Sequence, residues 1–281
     1  KYLWIDPWDG GDGCVTQVDP EDDNIVYYSS QNGGAVRFDR RADTAKYIRP
    51  KLPAGIKDTL LYNFITPYFI SPHHRETLYH GGNYIFKTTD RGNNWKVISP
   101  NLTNSAIKEK QSFSTGAMVE SFIQKGLLYA GTDKGAFWVS KNDGESWEEK
   151  DNGLANNYIR SICPSRFAKE RVYVAMTGIN YDDLNSYLYV SENYGNTWTA
   201  ISSGLPNEPV NVILEDPTNE SILYTGTLRG VYVSVDKGKS WSYLGNNMPG
   251  AAIADLEIHE STRELIAATH GRGIYKINLA A

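Results

Sequence analysis

An eight-residue theme recurs four times along this 281-residue chain and constrains its fold more than any other feature. It reads Thr88-Thr89-Asp90-Arg91-Gly92-Asn93-Asn94-Trp95, then Ser140-Lys141-Asn142-Asp143-Gly144-Glu145-Ser146-Trp147. It returns as Ser191-Glu192-Asn193-Tyr194-Gly195-Asn196-Thr197-Trp198 and as Ser234-Val235-Asp236-Lys237-Gly238-Lys239-Ser240-Trp241. The tryptophans stand 52, 51 and 43 residues apart, which suits four short strands and their turns per unit. A tight turn between strands needs a glycine for its positive φ. An Asp or Asn two residues earlier accepts backbone N–H bonds across the loop, and the Ser or Thr hydroxyl does the same more weakly. The tryptophan that follows is expected to pack between neighbouring sheets, which makes the theme a structural staple and its Asp a poor catalytic candidate.

The flanks repeat too. Each unit begins with a strand that ends near a proline: Val18-Asp19-Pro20, Ile70-Ser71-Pro72, Ile162-Cys163-Pro164 and Glu215-Asp216-Pro217. A second strand is centred on Tyr27, Tyr79, Tyr129, Tyr173 and Tyr224, and a third alternates over 35–39, 84–88, 136–140, 188–190, 231–234 and 274–277. Six copies are counted, over 12–50, 60–100, 112–154, 156–206, 207–249 and 250–281. The expected fold is therefore all-β, a β-propeller of about six four-stranded blades forming a single domain of 1–281. The first copy carries Asp39-Arg40-Arg41 in place of the theme, and the last ends after its third strand. Lys1 to Pro7 has the composition of the missing fourth strand. If it pairs there, the ring closes and no sheet edge is left bare; otherwise the chain is an arc of a larger ring.

Lys+Arg 28 against Asp+Glu 33 give a net charge of -5, so nucleic acid is not an expected partner. No apolar run reaches the roughly 20 residues that span a bilayer. Two cysteines, Cys14 and Cys163, exclude a disulfide scaffold and a Cys-rich metal cluster. No metal and no cofactor is expected.

The theme Ser/Thr-x-Asp-x-Gly-x-Thr/Ser-Trp resembles the Asp-box, or bacterial neuraminidase repeat, found in sialidases, two-propeller xyloglucan-active glycoside hydrolases, photosystem assembly propellers and sortilin-type receptors. Asn63-Phe64-Ile65-Thr66-Pro67, Leu78-Tyr79-His80-Gly81-Gly82-Asn83, Ser99-Pro100-Asn101-Leu102-Thr103 and His270-Gly271-Arg272-Gly273 look closest to the sortilin-like, glycosyl-hydrolase-like propellers of large exported bacterial proteins. The resemblance implies an extracellular, periplasmic or cell-surface location, and other domains of a longer chain as partners. A sialidase would need an arginine triad; Arg37, Arg49, Arg229 and Arg272 are available, but no motif links them to that role.

In a four-stranded blade the third-to-fourth turn lies opposite the second-to-third and interblade loops, so function is sought on that other, funnel face. Its expected rim holds Gln31 and Asn32, His80 and Asn83, Asp133 and Lys134, a long insert over 178–186, Arg229, His270 and Arg272. Asp6, Asp9 and Asp12 beside Trp4 and Trp8 form an acid-and-aromatic mixture that suits sugar rings, although a solvated Asp/Gly turn with Trp4 in the core is the preferred explanation. Ligand contacts are expected from Trp8, Gln31, Asn32, His80, Asn83, Arg229, His270 and Arg272. The first functional expectation is a module that binds a glycan or peptide. The alternative is a glycoside hydrolase whose paired carboxylates come from Asp9, Asp12, Asp133, Asp182 and Asp183.

Overall fold

A computed structural model describes residues 11–103, 114–245 and 247–280. These residues form six antiparallel sheets set radially, each running outward from an innermost strand. Blade one holds β1 (Gly13–Asp19), β2 (Asp22–Ser30), β3 (Gly34–Asp39) and β4 (Thr44–Tyr47). Blade two holds β5 (Tyr68–Ile70), β6 (Leu78–Gly81), β7 (Ile85–Thr88) and β8 (Lys96–Val97). Blade three holds β9 (Thr115–Glu120), β10 (Leu128–Thr132), β11 (Phe137–Ser140) and β12 (Glu148–Glu149). Blade four holds β13 (Tyr158–Pro164), β14 (Val172–Gly178), β15 (Asp183–Ser191) and β16 (Thr199–Ala200). Blade five holds β17 (Val210–Glu215), β18 (Leu223–Thr227), β19 (Val231–Ser234) and β20 (Ser242–Leu244). Blade six holds β21 (Ile253–His259), β22 (Glu264–Thr269) and β23 (Ile274–Asn278). The sole helical pieces among the described residues are two short 3-10 turns, Gln31–Gly33 and Ile179–Tyr181.

The core is not one mass but five apolar clusters, each clamped between consecutive blades from one to six. The segment expected to complete blade six, residues 1–7, lies outside the described residues. On blade six the third strand, β23, leaves Ile274 and Ile277 exposed.

The four repeated turns share one geometry. The Gly92, Gly144, Gly195 and Gly238 N–H groups donate to the Thr88, Ser140, Ser191 and Ser234 hydroxyls at 3.1, 2.9, 2.7 and 2.8 Å. Oδ1 of Asp90, Asn142, Asn193 and Asp236 accepts the N–H four residues on, at 2.8 to 3.0 Å. Arg91, Asp143, Tyr194 and Lys237 join their glycines at positive φ, a second left-handed residue per turn that the residue types do not announce. Each indole N–H then donates at 2.7 Å to a carbonyl of the preceding blade's outer edge: Ile48, Ile98, Lys150 and Ile201. The staple thus joins blades by packing and by a hydrogen bond.

Beneath every blade the third-to-fourth turn, or its equivalent, donates a backbone N–H to the first-to-second turn. The pairs are Arg40 to Asn24, Arg91 to Glu76, Asp143 to Gly126, Tyr194 to Glu170, Lys237 to Ser221 and Leu279 to Arg263. A second, buried cement lies just above. Ser71 donates to Glu120 at 2.5 Å, Ser165 to Glu215 at 2.9 Å, Arg263 to Asp216 at 2.7 Å and Arg91 to Asp19 at 3.2 Å. Each link crosses between neighbouring blades and satisfies a carboxylate that burial would otherwise penalise.

Candidate functional site

On the opposite face the interblade connectors and second-to-third turns meet around an axial channel. Asn83 shows how tightly some of that face is tied down. Its side chain accepts the Leu61 N–H and donates to the Thr59 carbonyl, both at 2.9 Å, and it is 1% exposed. The expectation of Asn83 as a ligand group is corrected: its amide is consumed in holding the connector to blade two.

His80 is corrected in the same way. It sits in β6 and not on a rim loop, wholly buried among Tyr62, Tyr68 and Trp95 with ring centroids 5.2, 5.7 and 6.1 Å away. Nε2 lies 3.1 Å from the Gly33 carbonyl, and burial lowers its pKa to about 3. A neutral imidazole sealed in an aromatic cage cannot shuttle protons to solvent at ordinary pH.

The long insert over 178–186 is not a loop wall. Gly178 pairs with Asp183, so β14 and β15 continue as a hairpin closed by the 3-10 turn and by Asp182 at φ 57. Asp183 accepts Tyr187 Oη at 2.7 Å, the Asn185 side chain at 2.7 Å, the Asn185 N–H at 3.0 Å and the Asn157 side chain at 3.1 Å. Those donors, the Tyr187 hydroxyl above all, hold its carboxyl below the usual range. That is the wrong direction for a general acid.

The other expected residues are exposed or half-buried. Gln31 Oε1 accepts the Asp12 N–H at 2.7 Å, and Asn32, at φ 57, donates its N–H to the Phe64 carbonyl at 3.1 Å. The Asp133 N–H donates to the Ser114 carbonyl, and Lys134 stands over the Tyr181 ring at 4.2 Å and contacts its hydroxyl. The Arg229 side chain is 79% exposed, 3.7 Å from Glu208. His270 and Arg272 lie exposed in the β22–β23 turn. Trp8 and Asp9 lie outside the described residues. No group of acids, histidines and cysteines among the described residues has the arrangement of a metal site.

What residue-by-residue reading missed is the channel. All six innermost strands line one cavity of about 410 Å³ on the propeller axis. One arc is largely apolar: Val15, Ile65, Phe69, Ala117 and Met118, with the Cys14 thiol pushed up by burial. The other arc is polar and comes from blades four to six: Arg160, Ser161, Asn211 and Asp255. Ser161 and Asn211 are occupied, by the Ile213 N–H and the Ile253 carbonyl. Asp255 is open to the channel, yet its partial desolvation there raises its carboxyl, with the Leu256 N–H and then Arg160 opposing the shift. Burial also raises Glu257, and the charge on Asp255 adds to it. Toward the stapled face the Arg166–Glu260 pair, at 2.8 Å, ties blade four to blade six. At the other end Asn63 donates to Tyr158 Oη at 3.1 Å, and Phe64 and Ile65 are exposed at the mouth. Gly116 has no side chain because the Tyr158 ring occupies the place a Cβ would take.

The family described as the DUF6242 beta propeller domain matches residues 65–271. No curated protein matches the sequence. Among solved structures, the GH74 xyloglucanase from Xanthomonas campestris is 16% identical with a TM-score of 0.68, covering 94% of this chain and 44% of its own. A GH74 enzyme of Niastella koreensis is 15% identical with a TM-score of 0.68, at 95% and 45%. YCF48 bound to D1 peptide is 14% identical with a TM-score of 0.61, at 95% and 77%. These likenesses show a shared propeller fold, and the chain spans less than half the length of the two GH74 proteins.

Proposed function

This chain belongs to the DUF6242 beta propeller domain family, and from that premise we propose that it is a binding module, holding a peptide or glycan at its connector face and axial channel. One observation carries the reading. Large apolar side chains are left exposed on that face, at Leu61, Phe64, Ile65, Ile179, Tyr181 and Leu184, around the channel mouth. The stapled face also exposes Phe122, Ile123, Phe167 and Val235, but these stand on turns tied together by repeated hydrogen bonds and away from the channel mouth. The peptide-bound YCF48 propeller supports a peptide as one ligand class, and the GH74 enzymes support a glycan as the other. Export of the chain belongs to the same proposal and rests on the repeat resemblance.

Retention on arrays of glycans and of peptides, without turnover, is the expected result. Substitution of Phe64 and Tyr181 by alanine should weaken that retention, while Phe122→Ala on the opposite face should leave it unchanged. Retention lost equally in all three, or absent from every array, overturns the proposal.

A second reading, glycan hydrolysis, is favoured by one feature. Asp255 and Glu257 lie two residues apart on one strand face, roughly 6.6 Å along the strand, and both are raised by burial. Release of reducing sugar from a polysaccharide, abolished in Asp255→Asn or Glu257→Gln, would establish it.

A further inference from the structure

The axial channel sorts its chemistry by blade. Blades one to three supply an apolar wall and blades four to six a polar one, and on the polar wall two groups of opposite charge are left over. Asn211 and Ser161 already have partners in the fold. Arg160 hydrogen-bonds the Tyr158 hydroxyl but, like Asp255, takes part in no ion pair among the described residues, and Asp255 feels the charge of Arg160. Arg160 lies 5.7 Å from the Tyr158 ring centroid, and one oxygen of Asp255, a residue lining the channel, accepts the Leu256 N–H at 2.9 Å.

A separated guanidinium and carboxylate inside a partly desolvated cavity cost free energy unless something bridges them. The complement of such a pair is a molecule with a carboxylate at one end, an ammonium at the other and an apolar body between. Resting on the binding-module reading, we propose that the channel is a site for a small zwitterion, a free α-amino acid with an apolar side chain or a short apolar peptide. Arg160 holds its carboxylate, Asp255 its ammonium, and Phe69 and Met118 its side chain. A volume of about 410 Å³ is in the range of pockets that enclose small ligands.

Calorimetric titration of the full chain with L-leucine, L-phenylalanine and the dipeptide Leu-Leu tests this, with glycine, N-acetyl-L-leucine and L-leucine amide as blocked or truncated forms. The free amino acid and the dipeptide distinguish the two sources. Blocking either charged end should weaken binding by about tenfold or more, the effect of removing one charge-assisted hydrogen bond, and glycine should bind more weakly than leucine. Arg160→Gln should weaken leucine and N-acetyl-L-leucine but not L-leucine amide. Asp255→Asn should weaken leucine and L-leucine amide but not N-acetyl-L-leucine.

Blocked ligands on the unsubstituted protein keep the test independent of how the variants fold. Equal binding of blocked and free forms, no binding of any of them, or identical losses for all ligands in both variants overturns the proposal. If glycan or peptide retention persists in the double variant while no zwitterion binds, the channel assignment falls and the binding-module reading stands.

Discussion

The two faces of this propeller are made from the same strands and could hardly be more different. On the stapled face, six blades repeat one backbone hydrogen bond, and buried carboxylates each meet a serine or arginine of a neighbour. On the connector face repetition is partial: the second-to-third turns of blades three, five and six share a bond from the Thr132, Thr227 and Thr269 N–H groups to the Ala136, Gly230 and Gly273 carbonyls, while apolar side chains stand exposed and the channel below holds Arg160 and Asp255 outside any ion pair among the described residues. Repetition marks what every blade needs in order to pack on the next. Where repetition lapses, the surface is released from that duty and free to carry specificity.

The largest effect should come from removing a staple. Trp241 is 8% exposed and donates its indole N–H to Ile201. Trp241→Ala should cost about 3–5 kcal/mol, the range for emptying a large aromatic site. Denaturant unfolding monitored by circular dichroism would read it, and a loss below about 1 kcal/mol would mean that the indole is not a clamp.

Next comes the buried cement. Burial alone would raise the Asp216 carboxyl, yet the Arg263 and Thr218 hydrogen bonds overcome it and leave the pKa lowered. Arg263→Ala strands that carboxylate and should cost about 2–3 kcal/mol, below the full value for a buried pair because the arginine is partly solvated. Arg229→Ala, across the molecule, makes the comparison sharp because the Arg229 guanidinium is open to water and Glu208 keeps its bond to Thr227.

Acid should separate the faces by sign. Asp216 has a lowered folded pKa, so its contribution is present above about pH 4 and fades as pH falls through the folded value. Asp236 and Asp90, held to about 2 by Ser240 and by Thr88 and Asn94 against some burial, lose theirs between about pH 4 and 2. Asp255 and Glu257 are raised, so their contribution is complete below about pH 4 and is lost as pH rises through the folded values. Asp255→Asn should therefore raise Tm at pH 7 and leave it nearly unchanged at pH 4. A lower Tm at pH 7 would show that Arg160 more than repays the burial of that charge.

The legibility of the molecule follows the same division. The staple could be read because its donors and acceptors lie within eight consecutive residues, and the strands centred on Tyr27, Tyr79, Tyr129, Tyr173 and Tyr224 could be read because their tyrosines recur at a fixed place in each unit. Glu120 with Ser71, or Arg160 with Asp255, could not be read, since nothing local says which remote residue a ring will bring opposite. His80 and Asn83 looked like rim residues because a His or Asn beside glycines suits a turn. The structure uses both inward, one in an aromatic cage and one as a backbone clamp.

The smallest effect on stability should come from the exposed rim, and that smallness is its value. Arg229, His270 and Arg272 extend from turns whose backbone bonds do not need the side chains: the Arg229 and Arg272 N–H groups donate to Thr227 and Thr269, and the His270 N–H to Ala252. Alanine at each should change unfolding free energy by less than about 0.5 kcal/mol. If these positions belong to the binding surface, the same variants should still weaken retention of the glycan or peptide captured on arrays. A rim variant that unfolds the protein would erase the distinction between the faces, whereas three that fold normally and bind normally would confine recognition to the channel and its apolar mouth.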